Sequence, residues 1–175
     1  MSLVLKLIIL TVLGALAVQD FKSRSVYWFW FPLLVAAFAG MHWFRFRQLE
    51  DYWEPVTFNL LFVCLQLAVL TVYFSLKNRR IVNITQQLLG WGDILFFLAT
   101  AFYLSVLSFV FFYVASLIVV LFCWLLWQLV WAKGGAHIPL AGFQSVLLIL
   151  FLMADWWYFH FDVTDDNWLR HILLL

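Results

Sequence analysis

The sequence predicts an all-α, polytopic membrane protein with about six transmembrane helices. Three observations lead there. The 175 residues are 67% hydrophobic and only 11% charged, whereas a soluble domain is about 45–50% apolar and about 25% charged. The apolar residues form long unbroken runs instead of the polar–apolar alternation of barrel strands. The bilayer core offers the backbone no water, so runs of this length satisfy their own hydrogen bonds as helices. The formal net charge of +1, with no basic cluster, leaves no surface for nucleic acid. The lipid bilayer is the solvent this composition requires.

A crossing needs about 20 apolar residues. Residues 2–18 make a first span, short by itself and extended by Gln19 and Asp20. With Lys6 as a thin basic region it has the outline of a signal peptide. It is read as a retained helix because every later segment is equally membrane-like. Residues 26–44 form a second, aromatic-rich span with Pro32 inside it; a mid-span proline is tolerated where neighbours re-satisfy the backbone. Residues 45–55 are a polar loop, and 56–76 a third span. Residues 77–89 are a polar connection carrying Lys77, Arg79 and Arg80. The stretch 94–132 holds no charged residue. As one helix it would run roughly 58 Å, too long for a single crossing, so it is predicted as two spans. No Gly or Pro marks the turn, which is placed at residues 105–108. Residues 133–137 form a short loop, 138–158 a sixth span, and 160–175 a tail with Asp162, Asp165 and Asp166. No repeat or linker divides the chain, so residues 1–175 are expected to be one domain.

Lysine and arginine bias sets the orientation. The loops after the first, third and fifth spans hold Lys22, Arg24, Lys77, Arg79, Arg80 and Lys133; the opposite side holds Arg45, Arg47 and Arg170. The odd-numbered loops are therefore expected in the cytoplasm and both termini outside, for a multi-pass protein of the plasma (inner) membrane.

Two aspartates carry the chemistry. Asp20 lies in Gln19-Asp20-Phe21-Lys22-Ser23-Arg24-Ser25-Val26, and Asp93 ends Gly90-Trp91-Gly92-Asp93. Both border odd-numbered loops, so topology puts them on the same side. Carboxylates beside hydrocarbon are costly and are functional candidates for that reason. Two within a few ångströms share one proton. The charged member then takes a proton from water while the neutral member donates to a carbonyl oxygen, which is general acid–base hydrolysis. Asp93 opens a helix and Asp20 closes one, so helix dipoles assign the shared proton to Asp20. Gly90 and Gly92 permit φ > 0 and close approach by an extended peptide. The plainer readings are a turn followed by a helix cap for Gly-x-Gly-Asp, and a helix-end pair with Lys22 or Arg24 for Asp20.

These motifs, with Ile138-Pro139-Leu140-Ala141-Gly142-Phe143 at the start of the last span, resemble the type IV prepilin peptidases and archaeal preflagellin peptidases, the Gly-x-Gly-Asp membrane aspartic peptidases. The likeness covers nearly the whole chain. It implies that Asp20 and Asp93 are the catalytic pair, and that Gly90, Gly92, Arg24, Ile138 and Pro139 contact substrate or support the site. It further implies pilin-like or preflagellin-like precursors as partners, cut on the cytoplasmic face between a basic leader and an apolar helix, with no metal and no other cofactor. The chain departs from the family at two positions: Tyr27 stands where the family has proline, and Leu95 where it has lysine. It also lacks the Cys-x-x-Cys-bearing cytoplasmic insertion linked to N-methylation, so a peptidase without methyltransferase activity is implied.

The remaining polar residues have simpler readings. Cys64 and Cys123 stand alone in separate spans and read as small buried hydrophobes. His137 reads as a loop residue, and His42, His160 and His171 form no ligand spacing. Gln66 and Gln128 read as helix-to-helix hydrogen bonders, Asp155 as an interfacial residue on the outer side, and the tryptophans as interfacial anchors. Asn83-Ile84-Thr85 matches a glycosylation acceptor but falls in a loop assigned to the cytoplasm. Two other functions compete with the peptidase: a transporter or channel subunit using the two aspartates as a proton or cation relay, and a non-catalytic assembly scaffold of peptidase ancestry.

Overall fold

The computed structural model describes residues 2–23, 25–43, 50–79, 90–130 and 139–173. The described residues are helical with short connections. The helices are α1 (Ser2–Ser23), α2 (Trp30–Trp43), α3 (Glu50–Asn78), α4 (Trp91–Thr100), α5 (Val106–Val130), α6 (Leu140–Met153) and α7 (Asn167–Leu173). A π-helical stretch, Ala154–Phe159, prolongs α6. Four stretches have the length and apolarity to cross a membrane: Leu3–Ser23, Tyr52–Asn78, Val106–Leu126 and Leu140–Phe159.

The two other expected spans are helices of 14 and 10 residues, about 21 and 15 Å long. The second span starts late because residues 25–29 are not helical. The Trp30 and Phe31 amides bond back to Tyr27 and Trp28 in a turn. Pro32 thus falls in the first turn of α2, where its missing N–H has no helical partner to lose. The third span starts early, at Glu50, and takes Pro55 into its second turn.

The connection between α4 and α5 occupies residues 101–105, a few residues before the expected turn. Its chain reversal is held from outside. The Asn59 amide on α3 donates to the Ala101 and Leu104 carbonyls (3.2 and 2.8 Å). His42 Nε2 at the end of α2 donates to the Tyr103 carbonyl (3.0 Å). The Ser105 N–H bonds to the Val163 carbonyl (3.1 Å), and Asp166 Oδ1 caps α5 by accepting from the Leu107 N–H (3.0 Å). Asn59→Leu keeps the volume and strips two buried carbonyls of their donor. It is expected to destabilise the protein by about 2–3 kcal/mol, read by denaturant or thermal unfolding in detergent.

The interior is apolar, with Ile9, Leu13, Leu16, Leu34, Phe38, Phe96, Phe109, Leu148 and Leu152 all fully enclosed. Helix α1 lies along α6 in the most extensive helix pair. Several sequence expectations change here. Cys64 is exposed and Cys123 half-exposed, so both look outward from the bundle. Gln128 also points outward; among the described residues the buried carboxamides are Asn59 and Gln144. Trp28, Trp43, Trp53 and Trp157 are exposed as anchors would be, but Trp156 is buried and donates to the Tyr103 hydroxyl (3.1 Å). Asp155 is buried as well, and its Oδ1 accepts from the Asp162 N–H (2.6 Å). It ties down a turn in which His160 and Asp162 take left-handed φ of 51° and 64°.

Candidate functional site: two carboxylates at the start of α6

Asp20 sits in the last turn of α1 and is 8% exposed. Its Oδ2 accepts from the Gly142 N–H at 2.6 Å. Asp93 is the third residue of α4. Its Oδ2 reaches back to the Gly90 N–H (3.1 Å), the carboxylate half of a capping box. The Ala141 N–H also lies in range of Asp93, as does the charge of Asp20. Consecutive amides in the first turn of α6 therefore face the two carboxylates, one amide each. A helix start leaves such N–H groups without intrahelical partners and carries a partial positive charge. That site gathers two like charges that would otherwise repel.

The approach depends on Gly142. A Cβ there would lie 3.1 Å from Asp20 Oδ2, 3.2 Å from Asp20 Cβ and 3.4 Å from the Ala17 carbonyl oxygen. Small residues let helix backbones come close where lipid gives no hydrophobic drive to associate, and the α1–α6 seam uses Gly142 and Ala17 in that way. Pro139 precedes α6 as its N-cap, with φ −75° and ψ 74°.

Gly90 and Gly92 act differently from the expectation. No described glycine has positive φ, so left-handed backbone is not their role here. Gly90 admits the Asp93 carboxylate, whose Oδ2 would be 3.3 Å from a Cβ on it. Gly92 accommodates Val26 and Ala141, at 3.8 and 4.0 Å from where its Cβ would be. The space beside Gly92 is thus taken in part by Val26, from the non-helical segment following α1. The assignment of the proton by helix dipoles also loses its basis, because Asp20 faces the start of α6 as well as the end of α1.

Arg24 and Ile138 lie outside the described residues, as do Lys133, His137 and residues 83–85. The two departures from the family pattern have local partners. The Tyr27 N–H donates to the Gln19 side chain (3.3 Å), a bond that proline could not make. Leu95 packs against the hydrophobic core. Asp155 lies at the far end of α6 from Gly142, about 20 Å along the helix, and takes no part in the pair. Among the described residues, no group of His, Cys, Asp and Glu is arranged to hold a metal ion.

One contact residue of this site, and one buried polar residue farther along α6, were missed in sequence. Gly142 was visible within the Ile-Pro-Leu-Ala-Gly-Phe run but carried no signal of its contact with Asp20, which is a tertiary contact. Gln144 follows two residues later and is fully buried. A lone glutamine in an apolar run was the available signal. Set against models of known protein families, curated proteins and solved structures, the chain matches none of them.

Proposed function

We propose that this chain is a membrane aspartic endopeptidase of the prepilin-peptidase kind, with Asp20 and Asp93 as its catalytic pair. The observation that carries the reading is the convergence of these two carboxylates, from distant parts of the sequence, on the Ala141–Gly142 amides. One carboxylate would take a proton from water as it attacks the scissile carbonyl. The other, protonated, would donate to the developing oxyanion and later to the leaving nitrogen. No covalent intermediate is required. The α6 amides would hold the pair in register, and Pro139 would fix how α6 begins.

The substrates of this reading are single-span precursors, pilin-like or preflagellin-like, with a basic leader ahead of an apolar helix. Cleavage would take place at the cytoplasmic face of the plasma membrane, with both termini of the chain outside. Gly90 would support Asp93, and Arg24 and Ile138 would border the substrate path. The test is direct. Purified protein is incubated with a synthetic prepilin-like peptide, and products are compared with those of the doubly substituted Asp20→Asn/Asp93→Asn protein. Cleavage by the first and none by the second supports the reading. Equal cleavage, or none by either, ends it.

A further inference from the structure

Gln144, the fifth residue of α6, is fully buried, and neither its amide nitrogen nor its amide oxygen has a hydrogen-bond partner. An enclosed carboxamide without partners is costly, and more so inside a bilayer. Leucine would fill nearly the same volume without that cost. The neighbouring buried polar residue is not in the same position, since the Ser145 hydroxyl donates to the Ala141 carbonyl at 2.7 Å.

Helix geometry says where the group is aimed. Long side chains on a helix lean toward its N-terminus and cover the turn preceding their own Cα. For Gln144 that turn contains Leu140 and Ala141, beside the amides that face Asp93 and Asp20. Three residues after Ala141, Gln144 shares the side of α6 on which Gly92 of α4 packs, whereas Gly142, which meets Asp20, points to another side. One polar group with an open donor and an open acceptor therefore faces the α4 side of the site. A carboxamide has the same outline as a peptide unit and can pair with it twice, taking its N–H and donating to its C=O.

We infer that Gln144 binds the main chain of the substrate, hydrogen-bonding through both its amide groups to a peptide unit next to the scissile bond. This rests on the endopeptidase reading and adds to it the residue that positions an extended peptide against the pair. Main-chain pairing is indifferent to side-chain identity, which suits an enzyme that must cut precursors of varied sequence. Entry of a strand to this depth parts α4 from α6, whose facing residues Gly92 and Ala141 are small.

The experiment measures binding apart from chemistry. A fluorescent peptide with a lysine- and arginine-bearing leader and an apolar helix is titrated into full-length Asp93→Asn protein in nanodiscs, with and without Gln144→Leu. Loss of both hydrogen bonds is expected to weaken binding about tenfold, with the melting temperature unchanged or raised because the orphaned amide is gone. In the otherwise native protein, Gln144→Leu raises KM more than it lowers kcat. Gln144→Met, equally long and apolar, gives the same readout should the leucine variant fold poorly. Peptide affinity unchanged in both variants overturns the inference, as does a lowered melting temperature at unchanged affinity, which is the signature of a structural glutamine. Absence of any peptide binding to the Asp93→Asn protein also overturns it. Failure of the parent reading looks different: cleavage would persist in Asp20→Asn and Asp93→Asn, or be absent from the native protein, whatever the Gln144 result.

Discussion

Asp20→Asn and Asp93→Asn are each expected to lower the cleavage rate by at least about a thousandfold while leaving the fold in place. Asparagine keeps the shape of the side chain and one acceptor oxygen. The substituted amide at position 20 can still accept from the Gly142 N–H, and the one at position 93 from the Gly90 N–H, the bonds that anchor the native carboxylates. What is lost is the ability to hold and release a proton. The two variants together should be little worse than either alone, because a pair that shares one proton works as a unit. In the native protein the rate should follow a bell-shaped pH profile. The active form carries one proton between two carboxylates, so activity falls at low pH as the second proton binds and at high pH as the last one leaves. A single variant that retains a tenth of native activity, with unaltered unfolding, would remove that aspartate from the mechanism.

Gly142→Ala is expected to lower activity by about tenfold to a hundredfold, because small misplacements of a catalytic group are expensive. The added methyl meets Asp20 Cβ at 3.2 Å and the Ala17 carbonyl at 3.4 Å, and the second of these is backbone. Helix α1 must give way, and the 2.6 Å bond to Asp20 lengthens with it. Overpacking of this kind costs about 1–3 kcal/mol. Gly14→Ala is the control within α1, for nothing lies within 4 Å of a Cβ at that position. It should leave cleavage unchanged and, by helix propensity, add up to about 1 kcal/mol of stability. Activity surviving Gly142→Ala at the level of the Gly14→Ala protein would mean that the α1–α6 seam does not set the geometry of the pair.

Hydrophobic runs read in order located the four membrane-length helices among the described residues, because in lipid the length of an apolar run is set by the solvent and not by neighbouring residues. The errors fall where that rule gives way to tertiary contacts. The α4–α5 turn has no Gly or Pro because Asn59, His42, Val163 and Asp166 hold it, and no local pattern announces such partners. The start of α3 was hidden in what looked like a charged loop, although Glu50, Asp51 and Glu54 are also what a helix N-terminus favours. Topology alone led to the expectation that Asp20 and Asp93 share a side, since both border loops of the same parity, and their meeting was a further step from that. The surface on which they meet was not expected, because Gly142 and Ala141 show their purpose only when α1 and α4 are laid against them. The same limit hid Asp155, which read as one more interfacial acid and is a buried anchor for the 160–162 turn.

The stretch after the π-helical segment looks in sequence like an acidic afterthought, yet it works as a clasp. Its Val163 carbonyl and Asp166 carboxylate engage the first amides around α5, and Trp168 closes over the same helix by donating to the Ser108 hydroxyl at 3.2 Å. A reporter or affinity tag spliced into residues 160–168 would therefore loosen the far end of the bundle, remote from either aspartate. Engineering of this protein is better directed elsewhere along the chain.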